Sequence, residues 1–417
     1  MTTPSSAQKP PSALRLPAFR AFVAFNMMTM MADNVEHVIS YWVCYQQFHS
    51  AALAGFAVVS HWLPYLLFSV TVGALNDRFD SRRIIQLGMG LFICASAGWG
   101  YFFITGTLTK AAAMSLLVLH GCAGVLWIPS SQVLLYSIVG PQNLQSAVRL
   151  NATARYLGVL VGPAVGSGIM YLFGPAHGIF LNTLIYLPLT IWLVRAPKPT
   201  EDGKPKRAVR GLEDIVRTIK DVRALPVVAT MTLLAGCASF FVGNSYQAQM
   251  PGFAHDLGRA KADVTYSMLL AADAAGALIA GLLLETRGTL LAVEPRSALK
   301  LAAGWGLALV GFACVRSYPL ALVCLFTAGF FELSFSTMAQ TLVQMGAPDA
   351  IRGRVLGLYS MSAFGLRMFS GVCVGLVGSV TSIHWSLAGA AGVFGVGVMI
   401  LWSQLRPPSI DAHSEAR

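Results

Sequence analysis

Apolar runs of about 20 residues, each long enough to cross a bilayer, recur from one end of this chain to the other. They fall at about 19–48, 52–76, 83–105, 111–139, 147–173, 176–194, 226–253, 263–286, 297–315, 319–345, 354–380 and 384–405. In hydrocarbon a backbone must satisfy its own N–H and C=O groups, so long continuous apolar runs read as helices. The fold class expected is therefore an all-α integral membrane protein with twelve transmembrane helices. Only 11% of the 417 residues are charged, against about 25% in an average soluble protein. The runs leave no room for a separate soluble domain. Residues 1–17 are polar and Pro/Ser-rich, without the apolar core of a cleavable signal, so the first run is expected to act as a signal anchor.

The net charge of +11 raises nucleic acid as a partner. Loop parity argues against it. Of the 29 lysines and arginines, Lys110, Arg259, Lys261 and Arg316 fall in loops of one parity, and Arg155 and Arg367 fall inside runs. The remaining 23 lie in the tails and loops of the other parity. This is the positive-inside pattern, and it places both termini in the cytoplasm of a bacterial inner membrane. The seven cysteines all sit in apolar runs without CxxC spacing, so neither a disulfide nor a metal framework is expected. No cofactor is expected either.

The longest hydrophilic stretch separates two sets of six runs. The divisions expected are a tail at 1–17, a six-helix half at 18–195, a linker at 196–225, a second half at 226–405 and a tail at 406–417. Within the linker, Leu212, Ile215, Val216 and Ile219 share one face of a short amphipathic helix lying on the membrane surface. The halves resemble each other. Gly73, Asp77 and Arg78 follow span two, and Gly281, Glu285 and Arg287 follow span eight, at an offset of 208 for glycine and acid alike. Pro141 and Pro348 precede spans five and eleven at an offset of 207. Two matching six-helix halves around a central path are a layout of secondary transporters, with binding near midplane. There is no GxxxxGK[ST] sequence, so transport would draw on an ion or substrate gradient. No HExxH or GxSxG sequence argues for an enzyme.

The turn GALNDRFDSRR, Gly73 to Arg83, holds two acids and three arginines between apolar runs. It resembles the loop signature of the major facilitator superfamily, usually written GxLaDrxgrkxxl. Gly73 would let helices approach closely. Asp77 could accept from a helix N-terminus or pair with an arginine, and Arg82 or Arg83 could hold neighbouring helix ends. The resemblance implies a conformational latch at Gly73, Asp77, Arg78, Arg82 and Arg83, with Glu285 and Arg287 as its second-half copy. In span five, Gly158, Gly162, Pro163 and Gly166 resemble the GxxxGPxxGG element of antiporters in this superfamily. Ser167 replaces its last glycine, and Arg149 stands where an earlier glycine is usual. Small residues there permit close packing in any case. The run Pro348 to Val355 resembles the PxxxRGRV turn of the siderophore- and macrolide-exporter branch. That branch usually has an Arg in a span-four PxRQ segment, which reads Pro129-Ser130-Ser131-Gln132 here.

Charges at bilayer depth cost about 2.5–3.5 kcal/mol on insertion scales, so they normally face a cavity or a partner. Asp33, Glu36, Arg155, Asp273, Glu332 and Arg367 lie well inside runs. Asp33, Glu36 and His37 can crowd one face of span one, at i,i+3 and i,i+4 spacing. Crowded acids beside a histidine suit proton coupling, although the cluster could instead sit at the outer end and face water. Asp273 and Glu332 would bind protons or substrate, or pair structurally, Asp273 with Arg367 for instance. Arg155 and Arg367 would neutralise these acids or hold an anionic substrate. His120, Asn244 and Gln247 are weaker cavity-lining candidates. These charges suit proton-coupled transport of an amphipathic small molecule by a monomer in the lipid bilayer, and the resemblance to the exporter branch implies export of a siderophore-like or drug-like one. Uptake of a metal chelate or nutrient, or lysolipid flipping, remains open on the same fold.

Overall fold

The structure is a computed structural model that describes residues 12–196, 211–243, 245–257, 262–287 and 291–405. Residues 1–11, most of the linker at 197–210, Asn244 and the tail from 406 lie outside the described residues. Among those described, helices account for nearly the whole chain.

Span one is Pro17–Phe48, span two Ala51–Asn76 and span three Ser81–Thr105. A helical stretch from Lys110 to Arg195 breaks at Gly140 and Gly174, where φ is 68° and 73°. It therefore supplies span four at 110–139, span five at 141–173 and span six at 175–195. Glycine takes the left-handed φ at each break, and the following Pro141 or Pro175 opens the next helix. Span five thus begins at Pro141, about six residues earlier than its hydropathy implies, because a Gly–Pro pair turns the chain without a loop. Span seven runs over Pro226–Phe241, Ser245–Ala248 and Met250–Asp256. Spans eight, nine and ten are Ala262–Thr286, Pro295–Cys314 and Tyr318–Gly346. Span eleven extends from Arg352 to Val380 with π-helical turns at Met361–Gly365 and Gly371–Leu376, and span twelve is Ile383–Gln404. The twelve spans form two six-helix halves.

Short polar caps set the helix starts. Ser50 accepts from Leu53 N–H, Asp80 from Arg82 N–H, Thr109 from Ala112 N–H and Ser382 from Trp385 N–H, at 2.9–3.3 Å. One apolar cluster gathers around Phe22, Phe92, Trp127 and Tyr186 in the first half and another around Phe253, Trp305, Phe312 and Phe394 in the second. Large apolar side chains such as Leu87, Leu172, Leu307, Val323 and Met399 point outward, as lipid-facing positions must.

The two halves meet at the end of the molecule where the described residues begin, with Ser12 against Glu285. Gly73 of span two lies against the backbone of Gly353 in span eleven so closely that a Cβ on either would collide with the other's carbonyl. One turn on, Asp77 accepts the Gly353 N–H at 2.6 Å, the Arg354 N–H at 3.2 Å and the Arg354 guanidinium at 2.9 Å. Those N–H groups are orphan donors at the start of span eleven, where a carboxylate is most effective. Spans five and eight make the corresponding contact. Glu285 accepts the Ser146 hydroxyl at 2.7 Å, and Arg149 donates to the Leu284 carbonyl at 2.7 Å. Glu285 follows Asp77 by 208 positions and Ser146 precedes Gly353 by 207, so the pair repeats the first contact in the other half. Two further groups join this contact between the halves. Arg352 lies 3.6 Å over the Tyr136 ring, and Asp214, in the linker helix Leu212–Arg223, bonds Arg354 at 3.1 Å.

The other charged groups of the turn play different parts. Arg82 bonds Asp80 and donates to the Ala196 carbonyl at 2.6 Å, tying spans three and six within one half. Arg83 reaches only Gln86, Arg78 lies over Phe79, and Arg287 is exposed at the end of span eight.

Candidate functional site

Span one carries a stripe of polar residues at alternating three- and four-residue spacing: Asn26, Thr29, Asp33, Glu36 and Ser40. All five are buried. That spacing keeps them on one helix face, turned into the first half rather than towards lipid. The outward, water-facing alternative for Asp33 and Glu36 is thereby ruled out. Each group finds partners on neighbouring spans. Asn26 donates to Asn151 of span five at 2.8 Å and accepts from the Trp127 indole of span four at 2.9 Å. Glu36 accepts a short hydrogen bond from Ser96 of span three and meets His120 Nδ1 of span four at 2.8 Å.

His120 is the centre of this network. Its Nε2 lies 2.9 Å from Asp33 Oδ1, as an ion-pair contact too oblique for an aligned hydrogen bond. The imidazole therefore bridges two carboxyl groups one turn apart on span one. His37 Nδ1 approaches Asp33 Oδ2 at 3.8 Å. Phe92 meets the His120 ring edge-on at 4.8 Å, and Asn182 of span six donates to the Ala32 carbonyl and to Ser96. An unpaired carboxylate here would be destabilised by several kcal/mol, and the network offsets that cost.

The second half builds its own cluster. The break in span seven follows Gly243, where φ is 50°, and its last segment opens with Pro251 at one of its first two positions. That interruption brings Tyr246 and Gln247 into the interior. The Tyr246 hydroxyl lies 3.1 Å from Asp273 Oδ2 and 3.4 Å from Glu332 Oε2, and Gln247 donates to Asp273 at 2.9 Å. Asp273 Oδ1 is buried without a hydrogen-bond partner. Glu332 in span ten and His120 in span four occupy corresponding spans of the two halves.

Arg155 and Arg367 do not form direct ion pairs with these acids. Among the described residues, neither guanidinium lies within ion-pair distance of a carboxylate. Both sit instead against one ring, Phe364, at 5.5 and 5.1 Å from its centroid, and Arg367 also lies 5.3 Å over Trp62. Arg367 spends one donor on the Ala363 carbonyl, whereas Arg155 Nε is buried without a partner. The π turn Met361–Gly365 places Phe364, and Arg155 comes from span five, so this arrangement joins the two halves. A cavity beside it is lined by Asn26, Trp127, Gln132, Asn151, Arg155 and, from span ten, Gln340. Asn244 lies outside the described residues.

The span-five glycines pack one helix against span one. A Cβ at Gly158 would meet the Met27 carbonyl at 2.8 Å, one at Gly162 would meet Asn34 at 2.6 Å, and one at Gly166 would meet Val35 at 3.2 Å. Pro163, about 100° round the helix from Gly162, is exposed. The stripe therefore holds span five against the part of span one that carries Asp33 and Glu36.

Twelve spans in two repeated halves, a duplicated contact between the halves at one end and charged groups held in the interior define a multi-pass membrane transporter of the major facilitator class. The chain belongs to the transmembrane secretion effector family, whose profile matches residues 8–417. It is similar to the enterobactin exporter EntS of Shigella boydii serotype 4 (strain Sb227), 24% identical over 400 residues, spanning 92% of this chain and 91% of that protein. EntS of Escherichia coli O1:K1 / APEC is 23% identical over 401 residues, with the same coverage. Among solved structures, a bacterial homologue of the iron transporter ferroportin in an outward-facing state superposes with a TM-score of 0.73 at 14% identity, over 93% of this chain and 100% of that one. The Escherichia coli fucose:proton symporter FucP gives 0.71 at 11% identity, over 93% and 98%. These likenesses establish the fold.

Proposed function

We propose that this protein exports an anionic, amphipathic small molecule of siderophore-like or drug-like character in exchange for protons. In this reading it works as a monomer in a bacterial cytoplasmic membrane with both termini in the cytoplasm. The closed gate then lies on the cytoplasmic side, and the arrangement is outward-facing. The observation that carries the reading is His120 held between Glu36 and Asp33. A proton arriving from outside can reside on the imidazole or on either carboxyl group, and the three share it over hydrogen-bond distances. The second cluster has matching chemistry. The Tyr246 hydroxyl has one proton for two carboxyl oxygens, so Asp273 and Glu332 make two good contacts only when one of them carries a proton. Loading both clusters removes negative charge from the interior and favours the rocking that opens the gate.

The substrate class follows from the two guanidiniums at Phe364. Cations without carboxylate partners, flanked by Trp62, Tyr65 and Phe364, suit a molecule with acidic groups on an aromatic frame. Enterobactin, for which the similar exporters are named, is the first compound to test. In proteoliposomes, efflux of labelled enterobactin should accelerate under an imposed inward proton gradient. Glu36→Gln should abolish that acceleration in protein that remains monodisperse. Efflux indifferent to the gradient in the unaltered protein would overturn proton antiport.

A further inference from the structure

Three imidazoles from three helices converge beside the span-one stripe. His37 of span one, His61 of span two and His120 of span four each offer one ring nitrogen, and these atoms lie within 4.8 Å of one another. The ring centroids are 4.7 Å apart for His37 and His120, 5.0 Å for His37 and His61, and 5.6 Å for His61 and His120. His37 Nε2 and His61 Nδ1 are both buried without a hydrogen-bond partner. Leaving two ring nitrogens unpaired inside a membrane protein is costly unless something else uses them. Proton sharing between Glu36 and Asp33 requires neither.

We propose that His37, His61, His120 and Asp33 form a binding site for a divalent first-row transition cation. Imidazole nitrogens with one carboxylate oxygen are a donor set for Zn²⁺, Fe²⁺, Co²⁺ or Ni²⁺, whereas Ca²⁺ and Mg²⁺ require mainly oxygen. Metal–nitrogen bonds of about 2.0–2.1 Å place tetrahedral ligand atoms roughly 3.4 Å apart. His120 Nε2 and Asp33 Oδ1, 2.9 Å apart, are already near that spacing. The other rings must close in by on the order of 1 Å, within reach of side-chain rotation. The outer shell is present too. Glu36 Oε1 holds His120 Nδ1 at 2.8 Å, which leaves Nε2 free to ligate, and carboxylate–imidazole–metal relays have this arrangement. Two buried carboxylates also match the charge of a divalent ion. All four ligands belong to one half, so the site survives relative motion of the halves. The ion and the exchanged proton compete for Asp33 and His120, so cation binding inhibits.

The test uses the full-length protein without a polyhistidine tag, purified in detergent. Zinc titration followed by elemental analysis should give about one tightly held zinc per chain. Cobalt should develop the intense visible bands of a four-coordinate ion. His61→Gln lies outside the Asp33–His120–Glu36 network, and should weaken zinc binding at least about tenfold and remove the cobalt bands. Zinc should raise the Tm of the unaltered protein and leave that of His61→Gln unchanged. Should His61→Gln prove unstable, His37→Gln provides the same comparison. Absence of tight zinc in the unaltered protein would overturn the proposal, and so would zinc binding or cobalt bands that persist in the folded variant. The assay uses no gradient and no substrate, so failure of proton antiport leaves its outcome unaffected.

Discussion

Asp77 accepts the Gly353 N–H at 2.6 Å across the junction of the two halves, and Glu285 and Ser146 make the equivalent contact at 2.7 Å on the other side. The gate is thus a duplicated device whose copies are unequal in strength. The Asp77 copy is bonded directly by the Arg354 guanidinium, whereas Glu285 accepts hydroxyls from Ser12 and Ser146 and Arg149 binds the neighbouring Leu284 carbonyl instead. Truncating one partner of a buried charged pair typically costs about 3–5 kcal/mol. Asp77→Ala should therefore open the gate. Spin labels on the exposed residues Phe79 and Asp349 would report it as a longer distance by electron double resonance. Glu285→Ala should have the smaller effect, and equal shifts would contradict the ranking.

The same gate should respond to acidity. Burial pushes the Asp77 carboxyl up to about 6, from an ordinary 3.8, against hydrogen bonds from Gly353 and Arg354 that favour its ionised form. A value higher in the closed gate than in water means that closure binds a proton. The closed form is therefore most favoured below about pH 4 and loses stability as the pH rises through about 6. The total change is about 3 kcal/mol at most. The distance distribution between the same labels should follow that window, and Asp77→Asn should flatten it. A closed population that grows between pH 4 and 6 would contradict the assignment.

Tyr246→Phe removes the hydroxyl between Asp273 and Glu332 while keeping the ring. The cost should be about 1–3 kcal/mol of stability, the penalty for removing a donor shared by two buried carboxyl groups, of which Asp273 keeps Gln247. Proton-driven efflux should slow more than ten-fold if that hydroxyl mediates proton exchange. Wild-type efflux at every pH would remove the second cluster from the proton path.

The span-five stripe gives a paired test. A Cβ at Gly162 would stand 2.6 Å from Asn34, whereas one at Gly168 meets nothing within 4 Å. Gly162→Ala should cost about 1–3 kcal/mol by overpacking the helix that bears Asp33 and Glu36. Gly168→Ala should stay within about 0.5 kcal/mol. Thermal unfolding in detergent checks both.

The span count, the two halves and the contact of Asp77 with a helix start and an arginine were legible because a charged turn stands out against an apolar chain. The offset between Asp77 and Glu285 pointed to the duplicated gate. Its partners Gly353 and Ser146 also sit near that offset; Gly353 falls in the Pro348 to Val355 turn, whereas nothing but its position could have marked Ser146. His120 read as a lining residue, since one histidine in a helix says nothing about which carboxyl groups face it across a bundle. Asn26, Thr29 and Ser40 were overlooked although their spacing with Asp33 and Glu36 is visible in the letters; uncharged polar residues attract less notice than acids. Arg367 lies against Trp62 and Phe364 and makes no direct ion pair with Asp273 among the described residues, an outcome hidden in the letters because they do not say which spans meet. The π turns of span eleven have no residue signature, since they arise from a shift in backbone pairing.

One consequence concerns the segment that joins the halves. Asp214 and Arg354 are both buried where the linker helix meets span eleven. The linker helix 212–223 is therefore no slack tether. It is a docked wedge, and separating the halves must either expose its aspartate or drag the helix along. Any molecule that grips the outer surface of 212–223 in this posture becomes, by mass action, a ligand of one conformation alone. An antibody fragment raised against that surface would brake turnover without ever approaching the cavity.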